Sequence, residues 1–404
     1  MPADCWPLKI ATYLAVLVPL SFPFSKVVAD IALSLVGCLF LFNSFWRCDW
    51  QWCRHSLVRF LGVINVYMVV SALCALQPSW PLVMSALAYG RFFLLFAAVV
   101  FWIGRQPSCV RAVMTASALS LVCVACDSLF QYITDFSVSG RPRFERRLTS
   151  FFRRPYVGFF INTLLFPVGL FFLRALHRSS TKWALFPCMG VCVICVFLTG
   201  DRAPSALLAL SLLSVAGMYA YHYPTWRWPI FFGGLFTMLA GYSFAMTQYL
   251  LSGRFFVLLR ELSVFSTTSY GQLFKSSFLM VREHPVMGVG YKMFSVPSHA
   301  LYEQGLVTYA GLHAHNYYLG WLAELGALGL VSFFALVGFF VRAVYVSDVH
   351  GRVLGTGALL VMFWPLTTTM DFFSSATSVI NWYALALLMV AASTHKGRRI
   401  HPVR

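Results

Sequence analysis

Charged residues are rare in this chain, and acidic ones rarer still: 13 Asp and Glu stand against 30 Lys and Arg in 404 residues. With 59% of residues hydrophobic and a mean hydropathy of +0.75, a soluble protein of this length is excluded. The shortage of carboxylates also argues against an acid-built divalent-metal site, because the polar loops that matter below offer mainly Asp135, Glu145, Glu261, Glu283 and Glu303. Short segments of alternating polarity are missing, which excludes a transmembrane β-barrel. Neither an internal repeat nor a low-complexity tract occurs. Cysteine is absent beyond Cys195; the eleven present sit mostly in apolar runs, where a free thiol behaves as a small hydrophobe. Cys48 and Cys53 with nearby His55 form only a weak metal pattern, short of the spacings of a zinc site.

What fills the chain is a succession of apolar runs. An α-helix needs ~20 such residues to cross the hydrocarbon core, so the expected fold is all-α: a polytopic helical membrane protein of about twelve spans, near 7–25, 27–45, 57–77, 83–103, 112–133, 156–174, 183–200, 204–221, 229–248, 316–341, 353–372 and 378–394. The first run lacks a small-residue cleavage site and leads straight into another apolar run, so it reads as a retained span and not a signal peptide. Residues 1–248 would hold nine spans with an Arg-rich outer loop at 134–155. A long outer loop at 249–315 follows, then three spans and a basic tail at 316–404. Arg47, Arg54, Arg105, Arg111, Arg174, Arg178, Lys182, Arg227, Arg342, Arg352 and the tail fall on one side if both termini are cytoplasmic. The formal net charge of +17 is dispersed between spans and forms no basic domain, so anionic lipid or an anionic lipid-linked substrate is the expected partner, and nucleic acid is not.

Three outer segments break the apolar monotony. The stretch 140–155 carries Arg141, Arg143, Arg146, Arg147, Arg153 and Arg154, although loops this basic are normally retained in the cytoplasm. A planar guanidinium fork suits phosphate oxygens, so a pyrophosphate is one ligand and anionic headgroups are the other. Arg202, in Thr199-Gly200-Asp201-Arg202, occupies a short turn, either as a second phosphate ligand or as an arginine that snorkels to headgroups. Between 248 and 315, the segment Tyr270–Glu283 is amphipathic at helical spacing, with Leu273, Phe274, Phe278, Leu279 and Val281 apolar, and it ends at His284-Pro285 before Gly288-Val289-Gly290-Tyr291. The loop then runs into His313-Ala314-His315-Asn316 at a membrane boundary, with Glu324 about two helical turns deeper. Histidine can take a proton near neutral pH, and ionisable groups at such depths are functional candidates. Arg91, Asp127 and Asp371, inside or at the ends of spans, are expected as members of internal ion pairs.

Several of these stretches together resemble the O-antigen ligase and polymerase superfamily of bacterial polysaccharide assembly. Asp127 to Tyr132 with Arg147-Leu148-Thr149-Ser150-Phe151, Pro155 and Gly158 is similar to its fifth-span exit and outer loop. Gly200-Asp201-Arg202-Ala203 resembles its arginine turn, Arg282 to Gly290 its His-Pro and glycine stretch, and His313 to Asn316 with Glu324-Leu325-Gly326 its catalytic-histidine helix. The resemblance implies a GT-C-like, inverting, metal-independent and cofactor-free glycosyltransferase of the inner membrane, working on the periplasmic face in lipopolysaccharide biosynthesis. Its donor would be a glycan on undecaprenyl diphosphate and its acceptor a sugar hydroxyl of lipid A-core. It assigns His315 or His313 as the base, and Arg202 with Arg141, Arg143, Arg146, Arg147, Arg153 and Arg154 to the diphosphate. One position departs from the pattern: Tyr270 stands where the family often has an arginine, and Lys275, Arg254 or Arg260 would supply that charge. Asn316 completes the candidates. A polymerase or a protein O-glycosyltransferase of the same superfamily is the alternative within this class. A lipid-linked glycan transporter is the alternative outside it, although it should place ionisable groups at the midplane within repeated halves.

Overall fold

The computed structural model describes residues 6–145, 147–175, 182–229, 232–233 and 264–393. Among them every regular element is a helix, apart from two isolated bridges within 136–147. The helices are α1 (Trp6–Ser21), α2 (Lys26–Arg47), α3 (Ser56–Leu73), α4 (Trp80–Ala88), α5 (Gly90–Phe101), α6 (Pro107–Thr134), α7 (Val157–Ala175), α8 (Lys182–Leu198), α9 (Arg202–His222), α10 (Ser269–Glu283), α11 (Ser295–Glu303), α12 (Tyr317–Tyr345), α13 (Val349–Phe363) and α14 (Ser375–Ser393). Eight of the described helical stretches are long and apolar enough to cross a membrane, and three shorter apolar ones stand where spans were expected. The chain is therefore a polytopic helical membrane protein. The expected span 229–248 lies outside the described residues apart from its first few positions.

Two boundaries differ from expectation. The run 83–103 is covered by α4 and α5, joined at Tyr89. The run 353–372 is helical only to Phe363, because Pro365 disfavours helical backbone at Trp364, which is extended at φ −64° and ψ 122°. Residues 364–374 consequently form a loop, and Asp371 belongs to it instead of to a span.

Packing centres on α14, which is buried along most of its length and touches α2, α5, α7, α12 and α13. Trp382 and Tyr383 fill its middle. Contacts sort the connections into two ends. Leu148 N–H donates to Thr199 O, Leu76 N–H to Val289 O and Thr369 N–H to His315 O, which gathers the turns near 76, 148, 199, 289, 315 and 369 at one end. At the other, Arg174 reaches the Asp348 carboxylate and the Ala391 carbonyl, and the Tyr219 hydroxyl meets His350 Nδ1 at 2.9 Å. Side-chain caps by Ser25, Ser79, Thr268 and Asn316 start α2, α4, α10 and α12 at the first end.

Inside the membrane α12 is interrupted. Gly326 adopts φ 67° and ψ −166°, a conformation open chiefly to glycine. The interruption frees backbone groups that lipid cannot satisfy, and the segment after α10 takes them up. Val289 N–H donates to Ala323 O at 2.9 Å, Gly290 N–H to Glu324 O at 3.0 Å, and Ala327 N–H to Pro285 O at 2.9 Å. The Tyr67 hydroxyl, from α3, donates to Leu325 O at 2.5 Å. A Cβ on Gly326 would lie 2.2 Å from Val286 O, and one on Gly288 2.5 Å from the Glu324 carbonyl carbon. The two strands of backbone touch because neither glycine has a side chain.

Gly326→Val should therefore strongly lower the thermal unfolding temperature in detergent, with about 1–3 kcal/mol arising from the backbone conformation alone. Gly320→Ala, where an added Cβ meets nothing within 4 Å, should leave it unchanged.

Candidate functional site

The repaired break fixes what stands above it. Glu324, 5% exposed, uses its carboxylate oxygens to accept from Lys292 N–H at 3.2 Å and Phe294 N–H at 3.3 Å, which anchors the turn leading into α11. About two turns nearer the helix start, Asn316 caps α12 by accepting from Leu319 N–H at 3.1 Å. Its amide donates to Pro365 O at 2.7 Å and Thr367 O at 3.1 Å, so the candidate Asn316 ties the 364–374 loop over the helix start.

That loop clamps His315 from two sides. Thr369 N–H donates to His315 O at 2.7 Å, and His315 Nδ1 lies 3.1 Å from Thr369 O. A carbonyl only accepts, so Nδ1 carries the proton and Nε2 keeps its lone pair. His315 is held at φ 54°, a left-handed conformation that costs a non-glycine residue about 1–3 kcal/mol and is typical of sites where geometry is imposed. The His313 ring lies against it with centroids 3.9 Å apart, and Tyr270 meets it edge-on at 5.4 Å. Both histidines, Trp321, Glu324 and Asp371 line one narrow cleft.

Electrostatics follow from this enclosure. Burial, and then the neighbouring His313, push His315 down to about 4, opposed by the Thr369 carbonyl and Asp371. Burial lowers His313 as well. It raises Asp371, against the Phe373 N–H and the charges of Lys292 and His315. Lys292, whose Nζ is 3.3 Å from Ser85 Oγ, is lowered by burial and supported by Asp371 and Glu324. The cleft thus keeps a neutral imidazole beside Asp371, whose charge favours the imidazolium form.

Sequence reasoning brought the two histidines, Asn316, Glu324 and Tyr270 to this place but missed Lys292 and Thr369, which carry no motif of their own. Asp371 was expected in an ion pair at the end of a span. It accepts from Phe373 N–H at 2.9 Å on a loop, and Pro365 was the signal that could have revealed that loop. Arg91 does pair, its Nε 2.9 Å from Asp30. Asp127 does not: among the described residues it has no ion-pair partner, and instead accepts from Val138 N–H and Ser150 Oγ, each at 2.6 Å. With Gln131, which accepts from Thr149 and Ser150 N–H at 2.8 and 2.9 Å, it shapes the arginine loop.

Within that loop the arginines divide. Arg141 donates to Phe151 O at 2.8 Å, Arg143 is 3.0 Å from Asp135 and also bonds the Tyr132 carbonyl, and Arg147 is 3.4 Å from Asp201. Burial pushes Asp201 up to about 6 while Arg147 draws it down. Arg153 and Arg154 are exposed with no side-chain partner among the described residues, and Arg202 is exposed in the first turn of α9. Lys26 adds a cation over the Tyr156 ring at 3.7 Å. Among the described residues no hydrogen bond, ion pair or ring contact joins these arginines to His315. Arg146, Arg254 and Arg260 lie outside the described residues. Lys275 donates to Leu306 O at 2.6 Å. The seat of α10 is also not the apolar stripe expected: Gly271, Gln272, Ser276 and Ser277 are buried with Leu273 and Met280, while Phe278 is exposed. Small residues let α10 approach α12, and the phenylalanine is left to the membrane boundary.

The fold and cleft define a multi-pass membrane protein with an interfacial histidine site. Residues 187–334, from α8 into the interrupted α12, match the family described as O-antigen ligase, a match that covers just over a third of the chain and supports the O-antigen ligase superfamily. The match takes in Arg202, the α10 segment, both histidines and Glu324, and stops short of Asp371. No curated protein matches the chain. The family implies a glycosyltransferase-type enzyme of the O-antigen pathway that handles lipid-linked glycans.

A histidine whose folded pKa lies below the unfolded value binds fewer protons when folded, so stability should fall as pH drops from about 6.5 to about 4. Thermal unfolding of the protein across this window should show that decline, and His315→Gln should reduce it to the part that His313 contributes.

Proposed function

We propose that this protein is an O-antigen ligase of the bacterial inner membrane, transferring a glycan from undecaprenyl diphosphate to a sugar hydroxyl of lipid A-core at the periplasmic face. Both termini would be cytoplasmic. The distribution of Arg47, Arg54, Arg105 and Arg342 at the end opposite the cleft supports that orientation.

The observation that carries the reading is the clamp on His315. With Nδ1 held on the Thr369 carbonyl, Nε2 is the atom left to take a proton, which supports reading His315, ahead of His313, as the base. The acceptor O–H gives its proton to Nε2 as the oxygen attacks the anomeric carbon. The bond from that carbon to the diphosphate oxygen breaks, and undecaprenyl diphosphate leaves from the opposite face with inversion. Asp371 stabilises the imidazolium. Arg202, Arg153 and Arg154, which are exposed, would hold the departing diphosphate, in keeping with the charge-assisted bonds that guanidinium groups make to phosphate. Arg141, Arg143 and Arg147 shape the loop that presents them. The reaction is proposed to need no metal.

His315→Ala should abolish transfer in proteoliposomes while leaving affinity for undecaprenyl diphosphate within about twofold. Arg202→Ala should weaken that affinity by roughly 1.5–3 kcal/mol, the range of a hydrogen bond to a charged group. Transfer that survives in the His315 variant would remove it as the base.

A further inference from the structure

Trp321 has a buried donor that nothing in the fold uses. It is 1% exposed and wedged among Phe333, Phe372 and Phe373, with ring centroids at 5.1, 5.5 and 5.1 Å. Its indole Nε1 is buried with no hydrogen-bond partner among the described residues. Buried tryptophan N–H groups usually find an acceptor, and leaving one without is destabilising. Packing alone does not explain the choice, since a surround of three phenylalanines would accept a fourth. Two further orphaned atoms stand close by: His313 Nε2, on the ring that lies tilted against His315, and Thr369 Oγ1, on the residue that clamps it. Trp321 lines the same cleft as both histidines.

The chemistry of these atoms selects a ligand. The indole N–H only donates, and His315 Nε2, with Nδ1 bonded, only accepts. A group that satisfies both must offer one proton and one lone pair, which is what an alcohol does. An ammonium nucleophile has no lone pair for the indole. We propose that Trp321 Nε1–H is a positioning donor that holds the acceptor's hydroxyl oxygen, or the oxygen next to it on the same sugar, against His315. This inference rests on the transfer reaction proposed above, and names polyhydroxylated alcohols as the acceptor class.

The test is Trp321→Phe, which keeps a phenyl ring and removes the pyrrole portion with its donor, in full-length protein reconstituted in liposomes with undecaprenyl-diphosphate glycan as donor and lipid A-core as acceptor. The variant should show about three- to tenfold lower kcat/KM for the acceptor, the effect of one neutral hydrogen bond. Donor affinity should be unchanged, and the unfolding temperature unchanged or higher, because a buried unsatisfied donor has been removed. Wild-type kinetics in the variant would overturn the proposal, as would a lowered unfolding temperature accompanied by equal losses for donor and acceptor, the mark of a packing residue. If the wild type transfers nothing to lipid A-core, the ligase reading itself fails and this inference with it. If transfer requires His315 and is indifferent to Trp321, this inference fails alone.

Discussion

A helix interrupted within a membrane leaves backbone amides and carbonyls that hydrocarbon cannot satisfy, so an interruption survives only where other protein groups take them. In this chain that constraint joins two distant parts of the sequence. The segment Pro285–Gly290 pairs with α12 around Gly326, and Tyr67 supplies a further contact from α3. Everything at the cleft depends on the pairing: Glu324 can anchor the 292–294 turn because its helix stops two residues later, and α10 is tethered beside His315 because its exit is bonded into the membrane. The contact also bears on the transporter alternative. Interrupted helices in transporters leave half-helix ends facing a substrate or ion, whereas here the backbone groups flanking Gly326 are taken by protein partners.

The cleft combines strain with enclosure. His315 is fixed in a left-handed conformation between a carbonyl and a second imidazole, and burial keeps it neutral in a setting that also holds Asp371, Glu324 and Lys292. In the proposed transfer, an imidazole enclosed and oriented by one carbonyl would need little rearrangement to receive a proton, with Asp371 already in place to favour the charge that forms. The loop carrying Asp371 exists because Pro365 ends α13 early, so a single proline decides whether that acid lies in a span or at the site.

Much of this was legible in the sequence, for identifiable reasons. Spans are visible because hydrocarbon demands long apolar runs, and eleven of the expected ones coincide with described apolar helices. The histidine segment stood out because polar residues at a membrane boundary are conspicuous. What the sequence hid were pairings between distant segments. Gly288 and Gly290 read as a simple tight turn, and only their contact with Ala323 and Glu324 explains them. Asp127 read as a charge awaiting a partner, yet it caps a loop through Ser150 and Val138. The arginines of 141–154 looked equivalent by composition; of the five described, three bond to other protein groups and two point outward without a side-chain partner, a division set by loop geometry that spacing does not encode. Lys292 and Thr369 were invisible because one acts through the charges it faces and the other through its backbone.

The central claim is that the cleft joins a lipid-diphosphate glycan to a sugar on a second lipid. The most direct measurement is the mass of the lipid products formed by purified protein in liposomes that contain both undecaprenyl-diphosphate glycan and lipid A-core. A new species at the mass of lipid A-core plus the intact glycan, with release of undecaprenyl diphosphate, is the result expected. Longer glycans on the undecaprenyl carrier, with lipid A-core unmodified, would contradict it and make the protein a polymerase.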